Sequence, residues 1–201
     1  MPFCVCFFVK NNSYAFYYEK NNDIVLESIN KIFSLLKKKE NIQIYVHKLD
    51  FDGIFLINYF SNYSNLKYKF DTFIRENSIY SIKIQFESKT IEFKCSKKFL
   101  PLSLKEISIF FNLSPKLPFP YKFVSSDNLN YIGDVPDKTY FNDEKAWELC
   151  RTLQNSEFDL KKYTIKYCLQ DVTITKDFMQ IIQQIVKKFN ISLLDSYSTP
   201  A

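Results

Sequence analysis

Three side chains combine reactive chemistry with positions that an ordinary core does not favour. Tyr167 and Asp171 stand one helical turn apart, ahead of the apolar series Ile174, Phe178, Ile181, Ile185 and Phe189. Steps of four and three mark one face of a helix, and extending that face backward puts both polar groups on its inward side. A carboxylate facing a core is costly unless it is paired, hydrogen-bonded or bound to a cation. Asp171 therefore reads either as a hydrogen-bonded residue at the edge of a buried patch or as a metal ligand, with Tyr167 aimed at the same spot. Asp52 follows the strand-like Ile42 to His47 and stands where an apolar helix begins. It reads either as a helix N-cap or as a second carboxylate at a sheet edge, where α/β sites sit. Spacing alone does not bring Asp52 to Asp171.

The elements that must position these groups follow from periodicity. Residues 2–9 and 14–18 predict a hairpin across Lys10 to Ser13. Ile24 to Lys39 predicts a helix with a cationic end, Ile42 to His47 a strand, and Gly53 to Phe60 a short helix. Tyr68 to Ile74, Tyr80 to Phe86 and Thr90 to Cys95 predict an antiparallel run, and Pro101 a helix start reaching about Phe111. Pro115 to Phe141, with four prolines and Gly133, predicts loop, and Leu160 to about Phe189 one long helix. The order predicts a mixed α/β sheet flanked by helices.

Composition sets the outer bounds. With 201 residues and 46% hydrophobic content the chain can bury one sizeable core. Of 27 Lys and Arg residues only Arg75 and Arg151 are arginines, and Gly53 and Gly133 are the only glycines. Lys, Asn, Ile, Phe and Tyr in place of Arg, Ala and Gly is the signature of an AT-rich genome, as in an organelle, a linear plasmid or a reduced bacterium. A net charge of +5 permits a polyanionic partner without requiring one. The five cysteines are odd in number and scattered; Cys4-x-Cys6 lies on one face of a strand with no second pair at zinc-ligand spacing, so core residues in a reducing compartment are expected. No apolar run approaches the ~18 residues that span a bilayer, and Met1 to Val9 lacks the marks of a signal peptide. No membrane partner is expected.

Several segments together resemble a known family. His47-Lys48-Leu49-Asp50-Phe51-Asp52-Gly53-Ile54-Phe55 is similar to the second exonuclease motif of protein-primed family B DNA polymerases, His-Asn-Leu-x-Phe-Asp-Gly-x-Phe, and Tyr167 to Asp171 matches the third, Tyr-x-x-x-Asp. Between them, Cys95-Ser96 with Leu100 to Leu104, Lys116 to Tyr121, and Asn128 to Pro136 resemble further stretches of the mitochondrial and linear-plasmid members. The resemblance runs in order along nearly the whole chain. It implies a ribonuclease H-like 3′→5′ exonuclease domain over residues 1–190, with 191–201 leading toward a polymerase domain. It implies two Mg²⁺ ions, with Asp52 and Asp171 as metal ligands, Tyr167 orienting the attacking water and Lys116 stabilising the phosphate. Phe51, Phe55, Ser96 and Tyr121 match positions that contact the 3′ end of single-stranded DNA, although Phe51 and Phe55 at i, i+4 also suit a core. A terminal protein is a further implied partner, and a mitochondrion the implied location.

The match also breaks. No Asp-x-Glu triplet, the family's first exonuclease motif, occurs in the chain, so a missing first strand is expected. Lys48 stands where the family has Asn, and Cys95 where it has Asp. None of the polymerase motifs is present. Weak or no nuclease activity is expected of the isolated chain, and a binding module for single-stranded DNA or terminal protein, or a relic reading frame, stands as the alternative.

Overall fold

The computed structural model describes residues 2–20, 22–62, 67–154 and 157–191. The chain opens on an antiparallel hairpin, β1 (Cys4–Val9) and β2 (Asn12–Tyr17). Lys10 and Asn11 both take left-handed backbone, as a tight hairpin turn demands. Alternation sends Val5, Phe7 and Val9 into the main apolar cluster and Cys4, Cys6 and Phe8 to the other face.

Helix α1 (Ile24–Leu35) is capped by the Asp23 carboxylate, which accepts from Leu26 N–H. It stops before the lysine run, contrary to the sequence expectation, and no basic residue lies in its last turn. The Glu40 carboxylate accepts from the Lys37 N–H and from Lys10, which turns the lysines out of the helix. Strand β3 (Asn41–Val46) then pairs parallel with β6 (Lys89–Cys95), while β6, β5 (Ser78–Phe86) and β4 (Lys69–Arg75) run antiparallel, giving the order β3-β6-β5-β4. Between β3 and β4, α2 (Leu49–Asn62) packs back on β5 and β6. Among the described residues the hairpin makes no ladder with this four-stranded mixed sheet, although both contribute to one core with Ile82, Ile84 and Ile91 at its centre.

Helix α3 (Leu104–Phe110) begins at a Ser103–Glu106 capping box rather than at Pro101. The reciprocal cap satisfies two otherwise unpaired N–H groups, an advantage that a first-turn proline does not match. The two-residue strands β7 (Ile132–Gly133) and β8 (Phe158–Asp159) flank α4 (Glu144–Thr152), a helix that lies beyond the expected Pro115–Phe141 loop and has no counterpart in the sequence expectation.

The last element, α5 (Leu160–Lys187), is the axle of the molecule: it packs on β1, β2 and β3 and supplies buried residues to both smaller apolar clusters. Its stripe is buried only in part. Ile174 and Phe178 are fully enclosed, whereas Ile185 and Phe189 are exposed. The helix outruns the seven-residue α3 beside it, and its later turns present Ile182 and Val186 to that neighbour instead. The segment Asp195 to Ala201 lies outside the described residues.

Candidate functional site

Pro115 to Tyr121 lies as a strap along α5. The segment lies in no helix or strand ladder, so its carbonyls are left to accept from side chains of the helix. Gln170 donates to the Pro115 carbonyl at 3.0 Å and the Tyr163 hydroxyl to the Pro118 carbonyl at 2.7 Å. Phe119 packs against Tyr167 with centroids 4.6 Å apart. This docking delivers Lys116 onto one turn of the helix. Its ammonium donates to both oxygens of Asp171 at 2.6 and 2.5 Å and to the Tyr167 hydroxyl at 2.5 Å. Tyr121 closes the group through a hydrogen bond between its hydroxyl and that of Tyr167. The structure thus brings Lys116, Tyr121, Tyr167 and Asp171 to one point.

Asp52 is positioned by different means. It sits in the first turn of α2 rather than at its cap, because the helix begins four residues earlier than expected: Lys48 adopts φ 66°, and its carbonyl accepts from Phe51 and Asp52 N–H. The Asp50 carboxylate accepts from Ile79 N–H at 2.5 Å and from the Ser78 hydroxyl, pinning the start of α2 to β5. Gly53 lets the helix lie close, since a Cβ there would stand 2.9 Å from Ile82 Cδ1 and 3.1 Å from Leu49 Cδ1. Left-handed backbone is a conformation that Asn tolerates better than Lys, which suits the Asn of the motif this segment resembles.

The electrostatics join the two corners. Crowding by surrounding protein, then the charges of Cys168 and Asp171, push the Asp52 carboxyl up to about 6, with Lys48 opposing. The residue is nevertheless exposed, so water screens part of that effect. Desolvation raises Asp171 above the usual carboxylate range and outweighs the attraction of Lys116. Desolvation also pushes the Tyr167 hydroxyl up strongly, with Asp171 adding to it, so the phenol stays protonated. His47, at the end of β3, is held down to about 4 by burial, with Lys97 and Lys116 reinforcing and a hydrogen bond to the Leu102 backbone opposing.

Of the residues expected to meet DNA, Phe51 is 61% exposed and Tyr121 48% exposed, so neither is core. Phe55 is half-buried and meets Phe51 edge-on with centroids 6.3 Å apart. Ser96 departs from the expectation. It is fully buried, with its hydroxyl 3.1 Å from His47 Nδ1, so it anchors the histidine and has no surface to offer a strand. Cys95 is buried core. His47, Asp50, Phe119 and Gln170 were not singled out for a role from the sequence. Their signal lay in the motifs themselves: His47 and Asp50 in the segment that leads to Asp52, Phe119 beside Lys116, and Gln170 next to Asp171.

The sequence model of the family described as DNA polymerase type B, organellar and viral, matches residues 34–201. The chain belongs to this family. A probable DNA polymerase of Neurospora intermedia is 32% identical over 176 residues, covering 78% of this chain and 18% of that protein. One from Agaricus bitorquis is 31% identical over 211 residues, covering 94% of this chain and 25% of that protein. This type B polymerase chain therefore spans a quarter or less of those two relatives. Among solved structures, Phi29 DNA polymerase complexed with primer-template DNA and incoming nucleotide superposes with a TM-score of 0.51 at 18% identity, over 93% of this chain and 27% of that one. That likeness establishes a shared fold.

Proposed function

We propose that this chain forms the 3′→5′ proofreading exonuclease unit, ribonuclease H-like over residues 1–190, of a protein-primed family B DNA polymerase. Residues 191–201 lead toward the polymerase domain. The observation that carries the reading is the convergence of Lys116, Tyr121, Tyr167 and Asp171 on one point, with Asp52 near enough to feel the Asp171 charge. AT-rich residue usage fits a mitochondrial or linear-plasmid gene.

The donor set fits a hard divalent cation such as Mg²⁺. Both Asp171 oxygens already face a cation, the Lys116 ammonium, and Asp52 is destabilised partly by the neighbouring carboxylate, a repulsion that a bound cation relieves. Asp52 and Asp171 would hold it. When bound, the ion supplies Lewis-acid charge to the scissile phosphate and lowers the pKa of a bound water. The chain's own groups do the rest. Tyr167, protonated, donates a hydrogen bond that orients the attacking water, and Lys116 swings from Asp171 to the phosphate as charge develops there. Phe51, Phe55 and Tyr121 offer ring faces and edges to the terminal bases of a single strand.

Two carboxylates are fewer than a pair of ions requires, and the chain contains no Asp-x-Glu triplet. That favours, as the second reading for this chain alone, binding of single-stranded DNA or a terminal protein without efficient hydrolysis. Anisotropy titrations with a labelled single strand, linear or circular, test the core claim. Preference for a free 3′ end, weakened on the order of tenfold by Phe51→Ala or Tyr121→Ala, is expected. Equal affinity for circular strands, unmoved by either substitution, would overturn it. In Mg²⁺ the linear strand is expected to survive; rapid 3′→5′ degradation that Asp171→Ala abolishes would show the metal set to be complete.

A further inference from the structure

Three cysteines meet beside this site without belonging to its chemistry. Cys4 and Cys6 stand at alternate positions of β1, on the face turned from the main core, and Cys168 comes from α5, which packs on that strand. All three sulfurs lie within 4.8 Å of one another, and the Cys4 and Cys6 sulfurs are 3.7 Å apart. A tetrahedral zinc ion with Zn–S bonds of about 2.3 Å needs sulfurs separated by about 3.8 Å along each edge. The hairpin strand already presents one such edge, and Cys168 stands where a third corner belongs.

The two other cysteines provide the contrast. Cys95 and Cys150 are enclosed, at 3% and 0% exposure, and behave as small apolar core residues. Cys4, Cys6 and Cys168 are half-buried, so an ion can reach them. Sulfur donors select against Mg²⁺ and for thiophilic ions, which separates this cluster from the hard-oxygen pair Asp52 and Asp171. We propose that Cys4, Cys6 and Cys168 bind one zinc-class cation as thiolates, with water at the fourth position, and so clamp the β1–β2 hairpin to α5. Each ligand releases its thiol proton on binding, so the ion replaces protons and no redox partner is required. The hairpin shares no ladder with the larger sheet among the described residues, and this clamp supplies a cross-link at its open side.

Cobalt(II) is the probe. Titrated into the reduced full chain, it is expected to give one equivalent of sulfur-to-cobalt charge-transfer absorption and to be displaced by zinc but not by excess Mg²⁺. Cys6→Ser and Cys168→Ser each lose the band, Cys95→Ser and Cys150→Ser keep it, and circular dichroism confirms the helix content of each variant. Should Cys168→Ser misfold, Cys4→Ser at the strand end provides the same test. Absence of the band in reduced wild type, its survival in both Cys6→Ser and Cys168→Ser, or its displacement by Mg²⁺ would each overturn the proposal. So would a disulfide among the three, mapped after air oxidation, in a chain that takes up no cobalt when reduced. Because these readouts concern sulfur ligation, they are independent of whether the chain binds or cuts DNA.

Discussion

Asp171 and Asp52, near enough for the charge of one to act on the other, rest on different kinds of support. Asp171 rides mid-helix on α5, with both oxygens engaged by Lys116 and the strap behind that lysine docked through Gln170, Tyr163 and Phe119. The Asp52 carboxylate has no hydrogen-bonding partner among the described residues, and its place is set by the turn at Lys48, the Asp50 anchor and the close packing of Gly53. One corner is held by side-chain partners, the other by backbone geometry and packing. A pre-paired carboxylate resists motion, whereas an unpartnered one beside a like charge is poised to accept a cation.

Substitutions in each corner should therefore fail in different ways. The largest effect is expected for Gly53→Val, whose branched side chain would press into Leu49 and the enclosed Ile82; urea unfolding should show a loss of about 3 kcal/mol. Lys116→Met should cost about 2 kcal/mol, because it strands the Asp171 carboxylate, and partial exposure of the pair keeps the loss below that of a fully buried one. Equal tolerance of Lys116→Met and Asp52→Asn would erase the contrast between the corners.

Acid titration separates them by sign. His47 is held down to about 4 in the folded chain, below its ordinary value near 6.5. The unfolded chain takes up that proton first, so stability from this group is complete above about pH 6.5 and is lost as pH falls toward 4. Its contribution is on the order of 1–2 kcal/mol, and His47→Gln should remove the slope. Asp52 acts oppositely: its folded value of about 6 lies above the ordinary one, so in metal-free protein it favours the fold as pH falls through 6. Urea midpoints of wild type, His47→Gln and Asp52→Asn across pH 4–7 resolve the two slopes.

Smaller effects complete the series. Lys48→Asn should stabilise by about 0.5–1 kcal/mol in thermal melts, since Asn accepts left-handed backbone and the anchor bonds remain. Asp52→Asn should be neutral to stabilising, by up to about 1 kcal/mol at neutral pH in the absence of metal, because it breaks no hydrogen bond and removes a carboxylate raised to about 6 on a partly screened site. A loss above 2 kcal/mol there would reveal a partner for Asp52 and end the distinction drawn above.

Much of the fold was legible where periodicity is strong. The hairpin, β3, the β4–β5–β6 run and α5 all lie within a few residues of expectation, because alternation and helical spacing are local properties. Boundaries failed where a side chain overrode the pattern, as with Glu40 ending α1 and the Ser103–Glu106 box starting α3. Helix α4 was missed although Ala146, Trp147 and Cys150 share one helical face, because nine residues with a single enclosed position make a short pattern.

The candidate site divides in the same way. Asp171 and Tyr167 one turn apart on a helix face, and Asp52 at a helix start, were fixed by local spacing, as were the motifs that carry the family. Their relative placement was not, because it depends on packing between segments far apart in the chain: α2 on β5 and β6, and the 115–121 strap on α5. Packing also decided that Lys116 engages Asp171, that Ser96 is enclosed behind His47, and that Cys168 completes a cluster with Cys4 and Cys6. Residue types and periods set which groups can do chemistry, but distances across the core are set only when every apolar face has found its partner.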